Sequence, residues 1–500
     1  MTKEGSAISA LPAPESVLAR TGLGAVLKAV VGGSEVAGTG PEQVVIDPAT
    51  GRRLAVFHDA GDDLVSRAVA SAAAARRAWG VNDGTRRAGL LLRISQLVRQ
   101  RAADLAAAES LDSGKPLNQA RADVETAARY FEFYAGIADK IYGESLEQPT
   151  GFAYTRREPY GVVAVITPWN SPIAQMSRSV APALAAGNTV VVKPSELTPL
   201  TSILLGRLML AAGLPAGVCN VIPGAGPSAG SALVRHPDVS FVSFTGSVQT
   251  GRAVARAAGD RIVATNLELG GKSATLVFPD ADLAAAARAG VAAVVRNAGQ
   301  SCFACTRLVA HRSIHDHLIE LMSRQLAKLT IGPGLGSPDL GPLVSAGQRD
   351  RARGFIDRAV ADGATVANDV GGDVPPEGFF LRPHLVVNVR NEMEIAQQEV
   401  FGPVQSVIAV DDEDEAVAVA NASRYGLAAG IFTSSLDRAH RCAHRLEAGQ
   451  VQINRFPAGG VDTPFGGYKQ SGLGREKGVE ALRHYTQLKT IIVELGDGDG

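Results

Sequence analysis

Cysteine is scarce: Cys219, Cys302, Cys305 and Cys442 are the only four in 500 residues, too few and too scattered for the disulfide framework of a secreted scaffold. A reducing compartment is the expectation, and any cysteine with a role is a free thiol. Charge of one sign is also missing, since 49 basic and 50 acidic residues leave a formal net charge of -1 and no electrostatic footprint for nucleic acid or anionic membranes. No run approaches the ~20 apolar residues that a bilayer-crossing helix needs. Lys3 and Glu4, followed by Pro and Gly, interrupt what would be the apolar core of a secretory signal. These absences predict a cytoplasmic protein with no nucleic-acid and no membrane partner, and residues 1–40 read as a loose lead. Cys302-x-x-Cys305 has no second C-x-x-C to complete a tetrahedral set, so no metal site is expected.

What the chain does contain is enough apolar sequence for more than one core: 46% of its residues are hydrophobic, and its length suits two or three domains. From about residue 60 to 140, apolar positions recur every three or four residues in Ala- and Arg-rich sequence, which predicts helices broken by a turn at Asp112-Ser113-Gly114-Lys115-Pro116. Between 161 and 270, short β-branched runs (GVVAVI, TVVVK, VCNVI, FVSF, IVATNL) alternate with helix-length segments. That alternation predicts βαβ units and a parallel sheet, hence an α/β fold. A second α/β series follows, with helices near 281–297, 314–328, 346–362 and 413–424 and strands at LVVNV, SVIAV and GIFT. The strand-like TIIVEL near the C-terminus has no local partner.

Four stretches carry chemistry. GQSCFACTR places Cys302 among small and polar neighbours, 34 residues after Glu268 of LELGGKS. A thiolate attacks an electrophilic carbon, and a carboxylate can then activate the water that releases the product. FVSFTGSVQTG ends a strand and opens a helix around Gly251, so Gly246 and Ser247 stand where backbone N–H groups and the helix dipole receive a phosphate. A glycine at such a turn serves equally for its positive φ. This is neither a P-loop, because Arg252 follows Gly251, nor a G-x-G-x-x-G turn. TVVVKPSE ends a strand with Lys193, Ser195 and Glu196, and an acid there accepts hydrogen bonds from ribose hydroxyls while repelling a 2′-phosphate; a solvated Lys/Glu pair is the plainer reading. PWNSP puts the neutral donor Asn170 after another strand, either as an oxyanion ligand or as a turn former between prolines.

Taken in order, PWN, KPSE, FTGSxxxG, ELGGKS, GQxCxxxxR, ExFGP and PFGGxKxSGxGRE resemble the NAD(P)-dependent aldehyde dehydrogenase superfamily, with coverage from roughly residue 40 to the end. The resemblance implies a Rossmann-type parallel-sheet cofactor domain over residues 41–145 and 159–270 and an α/β catalytic domain over 271–482. It also implies a small β oligomerisation extension over 146–158 and 483–500, whose strands pair across subunits of a homodimer or homotetramer.

By the same resemblance Cys302 is the nucleophile, Asn170 and the Cys302 N–H hold the oxyanion, and Glu268 is the base that hydrolyses the thioester. Retention of Glu268 points to release by water rather than by coenzyme A. Lys193 and Glu196 are implied at the adenosine ribose, Ser247 at the pyrophosphate, and Glu399 with Phe401 at the nicotinamide ribose. Thr167, Pro168, Trp169, Ser195, Gly226, Phe244, Thr245, Gly246, Leu269 and Gly270 complete the implied cofactor site. Glu196 favours NAD over NADP.

For the aldehyde, Arg178 stands where many relatives carry a tryptophan, and Arg296 where an aromatic is common; Gln175, Ser301 and Phe303 complete the expected pocket. Two arginines at these positions occur in succinate-semialdehyde dehydrogenases, whereas the loop Asn454 to Gly460 lacks the serine those enzymes use, and RSVAPALA resembles aromatic aldehyde dehydrogenases. A carboxylated or polar aldehyde and an aromatic or apolar one both stay open, as does the pairing of either arginine with a structural carboxylate. The rival functions are a cysteine-dependent hydrolase or esterase without redox chemistry and a non-catalytic protein on the same scaffold.

Overall fold

The computed structural model describes residues 12–80, 83–367, 374–457 and 459–495. The helical region is four helices, Gly61–Gly80, Gly84–Gln100, Ala102–Ser113 and Leu117–Ala135. Asp83 caps the second by accepting from the Arg86 N–H at 2.9 Å, and the third stops where Gly114 turns left-handed with φ 77°. Leu117–Ala135 buries Val124, Phe131 and Tyr134 on one face, and its polar face later borders the site.

The first large sheet has five parallel inner strands in the order Ala264–Glu268, Val239–Thr245, Val162–Ile166, Thr189–Lys193 and Cys219–Val221. Its strands are apolar on both faces because helices cover both: Val163, Val165, Val190 and Val192 pack into one core, and Val162, Ala164, Ile166 and Val191 into another. The chain leaves Val162–Ile166 in one direction through Thr189–Lys193 and returns on its other side through Val239–Thr245. A crevice therefore opens at the carboxyl ends of these strands. The second large sheet is parallel over Ala274–Val277, Arg307–His311, His384–Val387, Val404–Val410, Ala428–Phe432 and Gln450–Ile453, with antiparallel Thr365–Val366 at one edge. The expected α/β architecture is thus present twice.

Four expectations need correction. The lead is not loose from residue 12 onward: Pro14–Thr21 is a helix that buries Val17 and Leu18, and Ala29–Val31 and Ser34–Val36 extend the first sheet. TIIVEL, whose first five residues end the strand Thr486–Glu494, has a partner within the chain: that strand pairs antiparallel with Gly151–Pro159, and Ser145–Gln148 adds the third strand. The proposed second domain does not keep all of 271–482, because Gly472–Leu473 crosses over and pairs with Leu267 and Glu268 at the edge of the first sheet. The helix expected through 297 ends at Val295, since Asn297 and Ala298 take φ values of 50° and 52°. Each departure rests on a tertiary partner or a strained backbone, neither of which leaves a periodic trace in sequence.

Candidate active site

The two sheets meet at Cys302. A cavity of about 500 Å³ on one side and one of about 460 Å³ on the other share Asn170, Gln175 and Cys302 in their walls. Cys302 sits in the loop after the short helical turn Arg296–Gly299, whose left-handed residues Asn297, Ala298 and Gly299 aim the chain back toward the crevice. Asn297 pins that turn, donating through Nδ2 to the Asn170 carbonyl at 2.7 Å and to the Gln300 carbonyl at 3.2 Å. The Gln300 side chain accepts from the Val344 N–H at 2.9 Å. Gly271 lets this loop approach: a Cβ there would lie 2.5 Å from the Cys302 carbonyl oxygen.

Asn170 donates one Nδ2 hydrogen to the Gln300 carbonyl at 3.0 Å, which leaves the amide's second N–H free. The Cys302 N–H has no hydrogen-bond partner among the described residues. Glu268 ends its strand buried, with neither carboxylate oxygen hydrogen-bonded. The polypeptide between Phe465 and Glu476 straps it in place: Leu269 donates its N–H to the Ser471 carbonyl, and Ser471 Oγ donates to the Gly270 carbonyl at 2.8 Å.

Burial dominates the electrostatics. It lifts the Glu268 carboxyl well above its ordinary range, an effect the Arg178 charge opposes and Glu476 reinforces. It lifts the Cys302 thiol to about 11, with Arg178 again opposing. Glu399 is raised to about 7 by burial, although its carboxylate accepts from the Gly271 N–H at 3.1 Å.

The 460 Å³ cavity gathers most of the expected cofactor residues. Pro168 and Trp169 enter from one strand end, Thr245, Gly246 and Ser247 from the next, and Leu269 and Gly270 from the third; Glu399 and Phe401 face them. Trp169 and Phe401 meet edge to face at 5.1 Å, with Phe401 held at φ 58°. The helix here starts at Val248 rather than around Gly251, because Ser247 caps it by accepting from the Thr250 N–H at 3.2 Å. The Gly246 N–H is spent on the Glu268 carbonyl at 3.0 Å.

The remaining expected residues lie outside that wall. Phe244 packs into the core beneath Gly246. Thr167 is buried, its backbone N–H donating to the Lys193 carbonyl. The Lys193 ammonium is also buried and donates to the Pro194 and Gly224 carbonyls, both at 2.8 Å. Glu196 stands 3.6 Å from it and is partly exposed, beside Ser195, which accepts from the Leu197 N–H. Gly226 begins the turn Gly226–Gly230 across the sheet end, where Gly230 approaches the Lys193 side chain.

All five expected substrate residues, Gln175, Arg178, Arg296, Ser301 and Phe303, line the 500 Å³ cavity. Arg178 is not a free anion grip, however. Its guanidinium ion-pairs with Glu476 and donates to Thr245 Oγ1 at 3.0 Å. Arg296 is exposed and has no hydrogen-bond or ion-pair partner among the described residues. Cys305 is buried, and burial pushes its thiol up to about 12. No group of three or more metal-ligating side chains occurs among the described residues.

The sequence model of the aldehyde dehydrogenase family matches residues 36–491. The chain belongs to the aldehyde dehydrogenase family. A Burkholderia cenocepacia protein assigned to the aldehyde dehydrogenases is 44% identical, with a TM-score of 0.92 over 94% of this chain and 100% of its own. The NAD+ complex of the aldehyde dehydrogenase from Bacillus cereus is 36% identical, with a TM-score of 0.94 over 97% of this chain and 100% of its own. Betaine aldehyde dehydrogenase from Staphylococcus aureus, also an NAD+ complex, is 35% identical, with a TM-score of 0.90 over 93% of this chain and 94% of its own. The family resemblance of the seven motifs is therefore borne out, as is the fold.

Sequence reasoning left several cavity residues of this aldehyde dehydrogenase unassigned. Lys477 and Phe465 lie within or beside the PFGG motif and are legible as motif, not as pocket, and Glu476 of the same motif enters only as the buried partner of Arg178. Gln119, Arg129 and Tyr130 come from the helix Leu117–Ala135, far upstream, and carried no signal beyond helical periodicity.

Proposed function

We propose that this aldehyde dehydrogenase oxidises an aldehyde to the carboxylic acid with NAD, through a thioester on Cys302 that water releases. The observation that carries the proposal is the position of Cys302 on both cavities, so that one sulfur faces an aldehyde from one side and a dinucleotide from the other. The 460 Å³ cavity suits that dinucleotide: a helix N-terminus at Val248 favours phosphate, Glu399 accepts from hydroxyls, and Trp169 and Phe401 offer flat walls. Glu196 at the neighbouring strand end favours a free ribose 2′-OH, hence NAD over NADP. When bound, NAD accepts the hydride.

In the first half-reaction the Cys302 thiolate adds to the aldehyde carbon, and the resulting oxyanion is stabilised by the spare Asn170 N–H and the unpartnered Cys302 N–H. Loss of hydride from that carbon leaves a thioester. In the second, Glu268 takes a proton from water as the oxygen adds to the thioester, and the Cys302 sulfur leaves. The raised affinity of a buried carboxylate for protons makes Glu268, once ionised, a stronger base than an exposed one.

The cytoplasm suits a chain whose four cysteines are all free, and no described helix is long and apolar enough to cross a membrane. The three-stranded sheet exposes Leu146, Leu488 and Ile492 on one face, an apolar surface that fits a homodimer or homotetramer. The test is NADH formation with a panel of aliphatic, aromatic and carboxylated aldehydes against NAD and NADP, with Cys302→Ala as control. Acid formation lost in Cys302→Ala is expected. Ester hydrolysis with no NADH from any aldehyde is the outcome that sinks the reading in favour of a hydrolase.

A further inference from the structure

Glu476 and Lys477 are consecutive, but their side chains diverge. The Glu476 backbone is bridged to Phe465, and its carboxylate turns inward to Arg178, Ser179 and Ser243. Lys477, left-handed at φ 62°, precedes the helix Gly478–His484 and lines the aldehyde cavity. A lysine in that backbone region is strained, and it persists because the Phe465–Glu476 bridge before it and the helix after it dictate the path.

The Lys477 ammonium has no hydrogen-bond or ion-pair partner among the described residues, and its recorded contact is the Phe465 ring, 4.8 Å away. The other charges of the cavity are largely spoken for. Lys115 ion-pairs with Asp123 and lies 3.7 Å from Glu109, Arg129 is 3.7 Å from Glu132, and Glu125 is held by Arg99 at 2.9 Å. With Arg178 committed to Glu476, the uncompensated charge near Cys302 is that of Lys477, and Arg296 adds a second at the exposed rim. A cation withdrawn from water without a counter-ion is costly, and an anion on the ligand removes the cost. Phe303 stands 6.0 Å from Phe456 and 6.1 Å from Phe465, so an apolar wall adjoins that cation.

Resting on the aldehyde dehydrogenase reading above, we propose that Lys477 is the specificity residue of this cavity: it receives a carboxylate carried by the aldehyde, while Phe303 and Phe465 flank the substrate's apolar body. Arg178, in the same wall, is held by Glu476 and Thr245 and does not receive that carboxylate.

Matched substrates test this: 4-carboxybenzaldehyde against 4-methylbenzaldehyde, and succinate semialdehyde against butanal, each with NAD. Lys477→Met is expected to lower kcat/KM for the carboxylated member of a pair at least about tenfold more than for its neutral mate, chiefly through KM, and Lys477→Arg to retain the preference. Equal losses on both members would overturn the assignment and make Lys477 a group that acts on Cys302; an unchanged ratio would overturn it too. The native protein gives a second readout that needs no variant. Burial brings the Lys477 ammonium down to about 8, in the company of Arg178, Cys302, Glu268 and Glu476. The carboxylate preference therefore falls as pH rises through about 8, because the neutral amine offers no charge, whereas Cys302 ionisation affects both substrates and cancels in the ratio. A ratio that stays flat from pH 6.5 to about 9.5 counts against the proposal. If the wild type oxidises neutral aldehydes but not carboxylated ones, Lys477 fails and the family reaction stands; if it oxidises none, both fail.

Discussion

Arg178, in the lining of the aldehyde cavity, and Glu476, outside that lining, form an ion pair with side-chain exposures of 6% and 0%. Glu476 also accepts from Ser179 Oγ at 2.8 Å and Ser243 Oγ at 3.3 Å, so the pair ties the helix Pro172–Ala185 to the strand Val239–Thr245 and to the strap that holds Glu268. The Arg178 charge reaches both Cys302 and Glu268, favouring the ionised form of each. An arginine that the sequence offers as a substrate ligand is in place a structural and electrostatic support.

Removing it leaves a buried carboxylate uncompensated. Arg178→Ala is expected to lose about 3–5 kcal/mol of stability. Urea unfolding of the variant beside the parent measures this, and an unchanged midpoint and slope would show that the pair does not hold these elements together. Its activity falls alike on carboxylated and neutral aldehydes, unlike that of Lys477→Met.

The Cys302 thiol, raised to about 11, is protonated at neutral pH in the free enzyme. Thiolate is the nucleophile, so iodoacetamide modification at Cys302 is expected to quicken about tenfold per pH unit between pH 7 and about 10. Mass spectrometry of the Cys302 peptide separates it from the buried Cys219, Cys305 and Cys442. A rate already level by pH 8 would mean that burial does not govern this thiol.

Glu268→Gln keeps the shape but cannot accept a proton. Deacylation should slow by about 10²–10⁴, while the first turnover still yields NADH, because hydride leaves before water attacks. Rapid-mixing absorbance at the nicotinamide band reads both phases. Loss of the burst together with the steady rate would move Glu268 to the first half-reaction.

Glu196, partly exposed beside Lys193, is the residue proposed to accept from a ribose hydroxyl. Glu196→Ser is expected to raise the NADP to NAD ratio of kcat/KM about tenfold or more, measured with one aldehyde at saturation. An unaltered ratio would return Glu196 to the role of a solvated partner for Lys193.

Much of the site was legible in sequence because it sits where secondary structure ends. Asn170, Ser247 and Glu268 each follow or finish an apolar run that marks a parallel strand, and strand ends at a crevice are where ligands gather. Phe244, Thr167 and Lys193 stand in the same stretches but turn into the protein, since neighbouring residues of a strand point to opposite faces and only packing decides which face is open. The strand Gly472–Leu473, two residues long, has no period to read and exists because Leu267 and Glu268 supply its partners.

Sequence by itself determined the chemistry on offer: a free thiol, a carboxylate, a neutral amide and two α/β halves without membrane, disulfide or metal signatures, because residue type and local period set these. Tertiary structure alone decided which charges remain available. Arg178 and Lys477 are both cations in recognisable segments, yet only packing brings Glu476 onto the first and leaves the second facing the cavity, because an ion pair depends on a few ångströms between residues almost three hundred positions apart.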